Sequence, residues 1–182
     1  MTGLTTINGT FTIDPAHTRL GFVARHAMVT KVRGSFDEIE GTASGDGQNP
    51  ESAKINVVAK AASLNTGNAG RDEHVRSADF LDAETYPNVT FNSTEVKVVD
   101  EDTLRVTGDL TIKDVTKPVT IDFDFQGQAV DPFGNTRIGF EGKTKISRKE
   151  WGLTWNAALE TGGVLVSDEI TLEIEVSAIK AA

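Results

Sequence analysis

The sequence predicts an all-β chain of about eight antiparallel strands, closed either as an up-and-down barrel or as a two-sheet sandwich. Three observations carry the prediction. Thr, Val and Ile supply 50 of the 182 residues, a β-branched usage that packs well on a pleated surface. From Asn88 onward apolar and polar residues alternate, as where Val119, Ile121, Phe123 and Phe125 interleave with Thr120, Asp122 and Asp124. Each such strand has one apolar and one wet face, and a wet face argues for antiparallel pairing because parallel sheets are covered on both sides. Finally, 17 Gly punctuate the runs, with no helical crossovers between consecutive strands.

Residues 1–9 are expected to form an N-terminal tail, and residues 10–182 one domain large enough to bury a core. Residues 10–26 read as an extended segment broken near Asp14-Pro15, with Leu20, Phe22, Ala24 and His26 on one face and Arg19 and Arg25 on the other. Val32, Gly34 and Phe36 form the apolar row of a strand paired with it. The turn cluster from Gly45 to Pro50 closes that excursion, and Ile55, Val57, Ala59 and Ala61 make a third run. Asn65 to Gly70 is turn-rich and leads into one short, charged helix from Arg71 to Phe80. Beyond it come the rows Val89 and Phe91; Leu104, Val106, Leu110 and Ile112; Val119 to Phe125; Ile138 and Phe140; and Ile170, Leu172, Ile174 and Val176.

Composition removes several function classes. Lys and Arg number 18 against 27 acidic residues, a net charge of −9, so the chain as a whole offers no basic field for phosphate backbones or anionic headgroups. No nucleic-acid partner is expected. The absence of Cys removes disulfides, a thiolate nucleophile and Cys-ligated metals. The first residues lack the basic and apolar regions of a secretory signal, and no window is long enough to cross a bilayer. A cytoplasmic protein with no transmembrane segment is therefore expected.

An eight-stranded barrel is the size whose interior is either filled by side chains or holds one ligand. Small residues beside large ones on the inward rows (Ala24, Gly34, Ala59, Ala61, Gly108, Gly142) fit a bore for a long, thin apolar molecule, and equally fit tight sheet packing. His17, His26 and His74 fall in different segments without metal-ligand spacing, so no metal site is expected. His26 shares parity with Phe22 and stands at an inner rim, as a head-group contact or as a structural histidine. Asp122/Asp124 and Glu173/Glu175 alternate with core positions, which a solvated exterior explains better than an acid/base pair. No Ser lies in a nucleophile elbow. Trp151 and Trp155 are large apolar bodies that plug a barrel end or line its mouth.

Seven blocks carry a further signal: Asp14-Pro15-Ala16-His17-Thr18 with Phe22 and Arg25-His26; Val32-Arg33-Gly34-Ser35-Phe36 with Gly41-Thr42; and Ala62-Ser63-Leu64-Asn65-Thr66-Gly67. They continue with Arg71 to Phe80, Tyr86 to Phe91, Gly108 to Ile112 with Val115 to Val119, and Ile146-Ser147-Arg148 through Gly152-Leu153. In this order they resemble the YceI family, bacterial lipocalin-like polyisoprenoid-binding proteins, over about residues 10 to 178. The resemblance implies an extended eight-stranded antiparallel lipocalin-like barrel with the 71–80 helix beside it, and an apolar tunnel holding a long isoprenoid or similar amphiphile. It also implies a homodimer, no established catalysis, and no cofactor other than bound lipid. Thr18, Val75 and Leu81 depart from the family's usual Ser, Leu and Phe, which bears on tunnel shape.

Strand parity and the matching blocks together nominate Leu20, Phe22, Phe36, Leu64, Phe80, Phe91, Leu110, Ile112, Phe123, Phe140 and Trp151 as the ligand-binding lining. His26 and His74 join them, and His17 and Arg25 are head-group candidates. The alternative function is a lipocalin-fold enzyme, an isomerase or cyclase acting on a lipid with His26 or His74 as acid or base.

Overall fold

The computed structural model describes residues 3–159 and 164–181. Among these, eleven strand segments form one antiparallel sheet: β1 (Gly9–Ile13), β2 (Arg19–His26), β3 (Thr30–Phe36), β4 (Ile39–Gly45), β5 (Lys54–Lys60), β6 (Leu64–Asn65), β7 (Asn88–Asp100), β8 (Thr103–Ile112), β9 (Val115–Val130), β10 (Thr136–Ser147) and β11 (Glu169–Lys180). The segments merge into eight staves. β1 and β2 lie end to end on β11, with Phe11 opposite Lys180 and Phe22 opposite Leu172. β4 and β3 lie end to end against them, Ala43 opposite Phe11 and Gly34 opposite Phe22. β5 and β6 form the third stave, Ala59 opposite Ile39 and Leu64 opposite Phe36. Because β11 pairs with both β10 and the first stave, the sheet closes on itself. Closure removes the exposed edges that a sandwich would keep, and of the two expected architectures the barrel is the one formed.

The breaks in the early staves have local causes. Pro15 has no N–H to continue a ladder, and the Asp14 carboxylate accepts from Ala16 N to cap a 3-10 turn, Pro15–His17. A second 3-10 turn, Ala61–Ser63, interrupts the third stave, so Ala61 ends the run it was expected to continue.

The first break is latched from outside. Arg137 donates to Asp14 and to Asp131, each at 2.7 Å, and His17 Nδ1 lies 2.8 Å from Asp14. The Arg137 hydrogen bond, followed by that of His17, holds Asp14 below the usual carboxylate range. For Asp131 burial pushes upward, but Arg137, the N–H groups of Asn135 and Phe133 and the Asn135 amide outweigh it and set its pKa at about 2.

Three glycines shape the wall. A Cβ at Gly34, Gly108 or Gly142 would come closer than 3.0 Å to the ring of Phe22, Phe91 or Phe123 respectively. Each ring therefore lies over a glycine of the neighbouring strand, a device that packs aromatics against a sheet. These glycines are occupied by rings and are not open bore, as the small-residue reading of Gly34, Gly108 and Gly142 would have had it.

The helix, α1, spans Ala69–Arg76 and not 71–80. The Asn68 side chain accepts from Arg71 N and fixes the start earlier than composition suggested. Ser77 is extended, and Leu81 N and Ala83 N return to Val75 O and Arg76 O, so Phe80 sits in the turn that follows. The first residues are not a loose tail either. Gly3–Thr6 forms a 3-10 turn, and Leu4 and Ile7 are only 4% and 8% exposed, packed with Phe11, Val96, Val106 and Ile138 across one end of the barrel.

Candidate functional site

The barrel encloses a cavity of about 670 Å³, within the roughly 300–1,000 Å³ of small-molecule sites. Along β11 the lining runs from Ile170 to Ala178, which at the usual rise and barrel tilt gives about 20 Å of axial length. The alternation of each stave builds it. Side chains at Leu20, Phe22 and Ala24, at Leu104, Val106, Leu110 and Ile112, and at Ile170, Leu172, Ile174 and Val176 all turn inward, while Asp122 and Glu173 pair with Arg105 and Lys143 on the outer face.

The structure brings together most of the residues nominated from the sequence. Leu20, Phe22, Arg25, His26, Phe36, Leu64, His74, Phe80, Phe91, Leu110, Ile112, Phe123 and Phe140 all line the cavity. Two do not. Trp151 is packed in the core cluster with Leu64, Phe80, Leu110 and Leu153 rather than along the bore, 2% exposed, and its Nε1 donates to Leu110 O at 2.9 Å; an indole N–H has to find an acceptor when buried, and here that acceptor is backbone. His17 stands on the outer surface, its side chain 67% exposed, beside Asp14.

The two ends differ in chemistry. At the lower end Leu4, Ile7 and Phe11 close the bore, with Thr42, Ser44 and Asp46 as the polar lining. At the upper end the lining includes Arg25, His26, Arg71, His74 and Arg148, and it reaches the surface at Arg25, His26 and Arg71. A three-ring cluster stands there: His74 and Trp155 at 4.6 Å, Phe80 and Trp155 at 5.4 Å, His74 and Phe80 at 5.3 Å between centroids. His74 Nε2 lies 2.9 Å from Asp79.

Arg148 organises this end. It is 4% exposed, and its guanidinium donates to the carbonyls of Leu153, Trp155, Val166 and Ser167 with Phe80's ring 5.7 Å away. Burial lowers its pKa and the Asp168 charge opposes that, yet an arginine stays charged throughout. One buried cation thus ties Leu153 and Trp155 to Val166 and Ser167 at the barrel mouth. Asp72, also buried, accepts from the N–H and hydroxyl of Thr66 and ties α1 to the third stave.

Sequence reasoning missed Arg71, Arg148, Leu4 and Ile7. Nothing in the spacing around Arg148 distinguishes it from a surface arginine, because its partners are backbone carbonyls, which every residue carries. Leu4 and Ile7, two apolar residues three apart in a polar stretch, were a usable signal. Among the described residues no group of His, Asp or Glu is placed to hold a metal, and no helix is long and apolar enough to cross a membrane.

A closed ring of eight staves around an apolar cavity, with the basic lining groups gathered at one rim, defines a lipocalin-like cavity protein. The chain belongs to the YceI family: the YceI-like domain model matches residues 11–178. It is 43% identical to Protein YceI of Escherichia coli over 137 residues, covering 75% of this chain and 71% of that one. BcnA of Burkholderia cenocepacia superposes with a TM-score of 0.80 at 22% identity, covering 91% of this chain and 98% of that one. A polyisoprenoid binding domain from Saccharophagus degradans, implicated in plant cell wall breakdown, superposes with a TM-score of 0.73 at 18% identity, covering 94% and 98%. At those identities the two structures speak for the fold.

Proposed function

We propose that this protein binds a long-chain isoprenoid or similar amphiphilic lipid in the barrel and sequesters or carries it without a covalent step. The observation that carries the reading is the apolar cavity, lined along its length by aliphatic and aromatic side chains. The description of the Saccharophagus degradans neighbour as polyisoprenoid-binding supports the same ligand class. Burial of hydrocarbon supplies about 0.8 kcal/mol per CH₂, so about ten buried units reach the roughly −8 kcal/mol of a micromolar complex before the cost of association. The basic lining groups cluster at the upper rim, which orients a polar head towards Arg25, His26, Arg71 and His74 and the tail towards Phe11.

Solvent extraction of purified protein followed by mass spectrometry tests the reading. A prenyl or acyl compound in stoichiometric amount is expected; repeated empty preparations that also fail to bind a fluorescent fatty acid would overturn it. Turnover of a candidate lipid that vanishes in His26→Ala or His74→Ala while binding persists would replace the carrier with an enzyme. The reading also takes the carrier as a cytoplasmic homodimer, which fractionation and light scattering test.

A further inference from the structure

The hairpin of β2 and β3 ends beside the upper rim and is built against its own stability. Its turn hydrogen bond, from Val29 N to His26 O at 3.0 Å, encloses Ala27 and Met28, both at positive φ (51° and 63°). That is the turn geometry for which Asn-Gly is favoured and side chains with a Cβ are strained. Met28 and Val29 are 61% and 74% exposed. Just below the tip Arg25 stands directly opposite Lys31, a like-charge cross-strand pair of the destabilising kind.

No acidic residue occurs between Asp14 and Asp37. Among the described residues Arg25, Lys31 and Arg33 have no carboxylate partner, while Asp168 and Glu169 next to them are engaged by Ser147 and Lys145. The net charge of −9 thus conceals a locally basic hairpin with an apolar tip. Ala27 N donates to Leu165 O at 2.7 Å, and Arg25, His26 and Leu165 all line the cavity, so tip and rim are one surface.

We propose that this hairpin docks the barrel on an anionic phospholipid surface, with Met28 and Val29 in the interfacial layer, Arg25, Lys31 and Arg33 against the headgroups, and the cavity rim facing the bilayer. The exposed tip and the like-charge pair of the free hairpin both become favourable there: apolar tips gain burial and unpaired cations gain counter-charges. The opposite end carries exposed apolar residues too, Phe133 at 87% and Val130 at 70% with Val98 and Val99, but beside Asp131 and on the same end as Asp100, Glu101 and Asp102, where an anionic surface is repelled. The docking face stands whether or not the cavity's occupant is an isoprenoid.

Vesicle co-sedimentation with the intact chain tests this, using phosphatidylglycerol/phosphatidylcholine mixtures against phosphatidylcholine alone. Binding is expected to the anionic vesicles, weakening at least tenfold at high salt and in Lys31→Glu/Arg33→Glu. The decisive variant is Ala27→Asn/Met28→Gly, which relaxes the turn: it should melt higher than the parent and bind anionic vesicles at least tenfold more weakly, whereas Phe133→Asn should bind like the parent. Since the chain has no Cys, Met28→Cys carrying an environment-sensitive dye should shift to the blue on anionic vesicles. Absence of binding, equal binding to neutral vesicles, or loss of binding in Phe133→Asn but not in the hairpin variants would overturn the proposal. Fatty-acid binding by the same variants in vesicle-free solution should be unchanged, which separates failure of docking from failure of the cavity reading.

Discussion

The lower and upper ends of the barrel close the same bore by opposite means. Below, apolar side chains from the chain's own start, Leu4, Ile7 and Phe11, fill the opening, and the nearby charges of Asp14, Arg137 and Asp131 are paired with one another. Above, a single buried Arg148 holds Leu153, Trp155, Val166 and Ser167 at the mouth through their carbonyls, and among the described residues Arg25 and Lys31 have no carboxylate partner. Charges that satisfy each other hold structure, while charges left over are available to something outside the molecule. The difference teaches which end is a base and which is a door.

The largest expected effect breaks the base. Phe11→Ala removes a side chain that is 1% exposed and should cost about 3–5 kcal/mol in urea unfolding, with a smaller effect on release of a fluorescent fatty acid than a variant at the upper rim. Arg148→Met strikes the door: four carbonyls lose their donor, which should cost about 2–4 kcal/mol and speed release. Equal acceleration of release by both variants would erase the distinction between the ends.

Gly108→Ala probes the wall between them. Its new Cβ meets the Phe91 ring and Asn92 O, and overpacking of that kind costs about 1–3 kcal/mol. Ala59, which is buried and lines the cavity, is the better place to narrow the bore: Ala59→Trp should shorten the chain length accepted in a folded barrel.

The smallest effect sharpens the account of the base. Asp14 and Asp131 have depressed pKa values, so their contribution to stability is complete above the ordinary 3.8 and is lost as pH falls through their folded values, for Asp131 about 2. Arg137→Met should lower the melting temperature at neutral pH, and the gap to the parent should close over that acid window. A gap that stays constant down to the bottom of it would show that the latch does not act through charge.

Much of this was legible in order along the chain. Period-two rows located the lining on β8, β9 and β11 because alternation is a local property of an extended backbone. The helix was legible in existence but not in position, since Asn68 caps it through a hydrogen bond that composition does not announce. Trp151 was nominated for the lining by strand parity and family blocks, but Leu110 O, 41 residues away, holds it in the core cluster beside the cavity. His17 was nominated as a head-group contact, and it stands outside beside Asp14.

By itself the sequence determined that the chain is antiparallel β, which residues face inward, and that the interior is apolar, because these follow from neighbours one to four residues apart. Tertiary structure decided that three broken strands align as single staves, that β11 returns to β1 and β2 to close the ring, and that Arg148 is a buried clamp. The staves and the closure depend on pairings between residues tens to more than a hundred positions apart, where the registry of hydrogen bonds is a property of the assembled sheet, and the clamp depends on carbonyls 5 to 19 positions on that only the closed mouth gathers around one guanidinium.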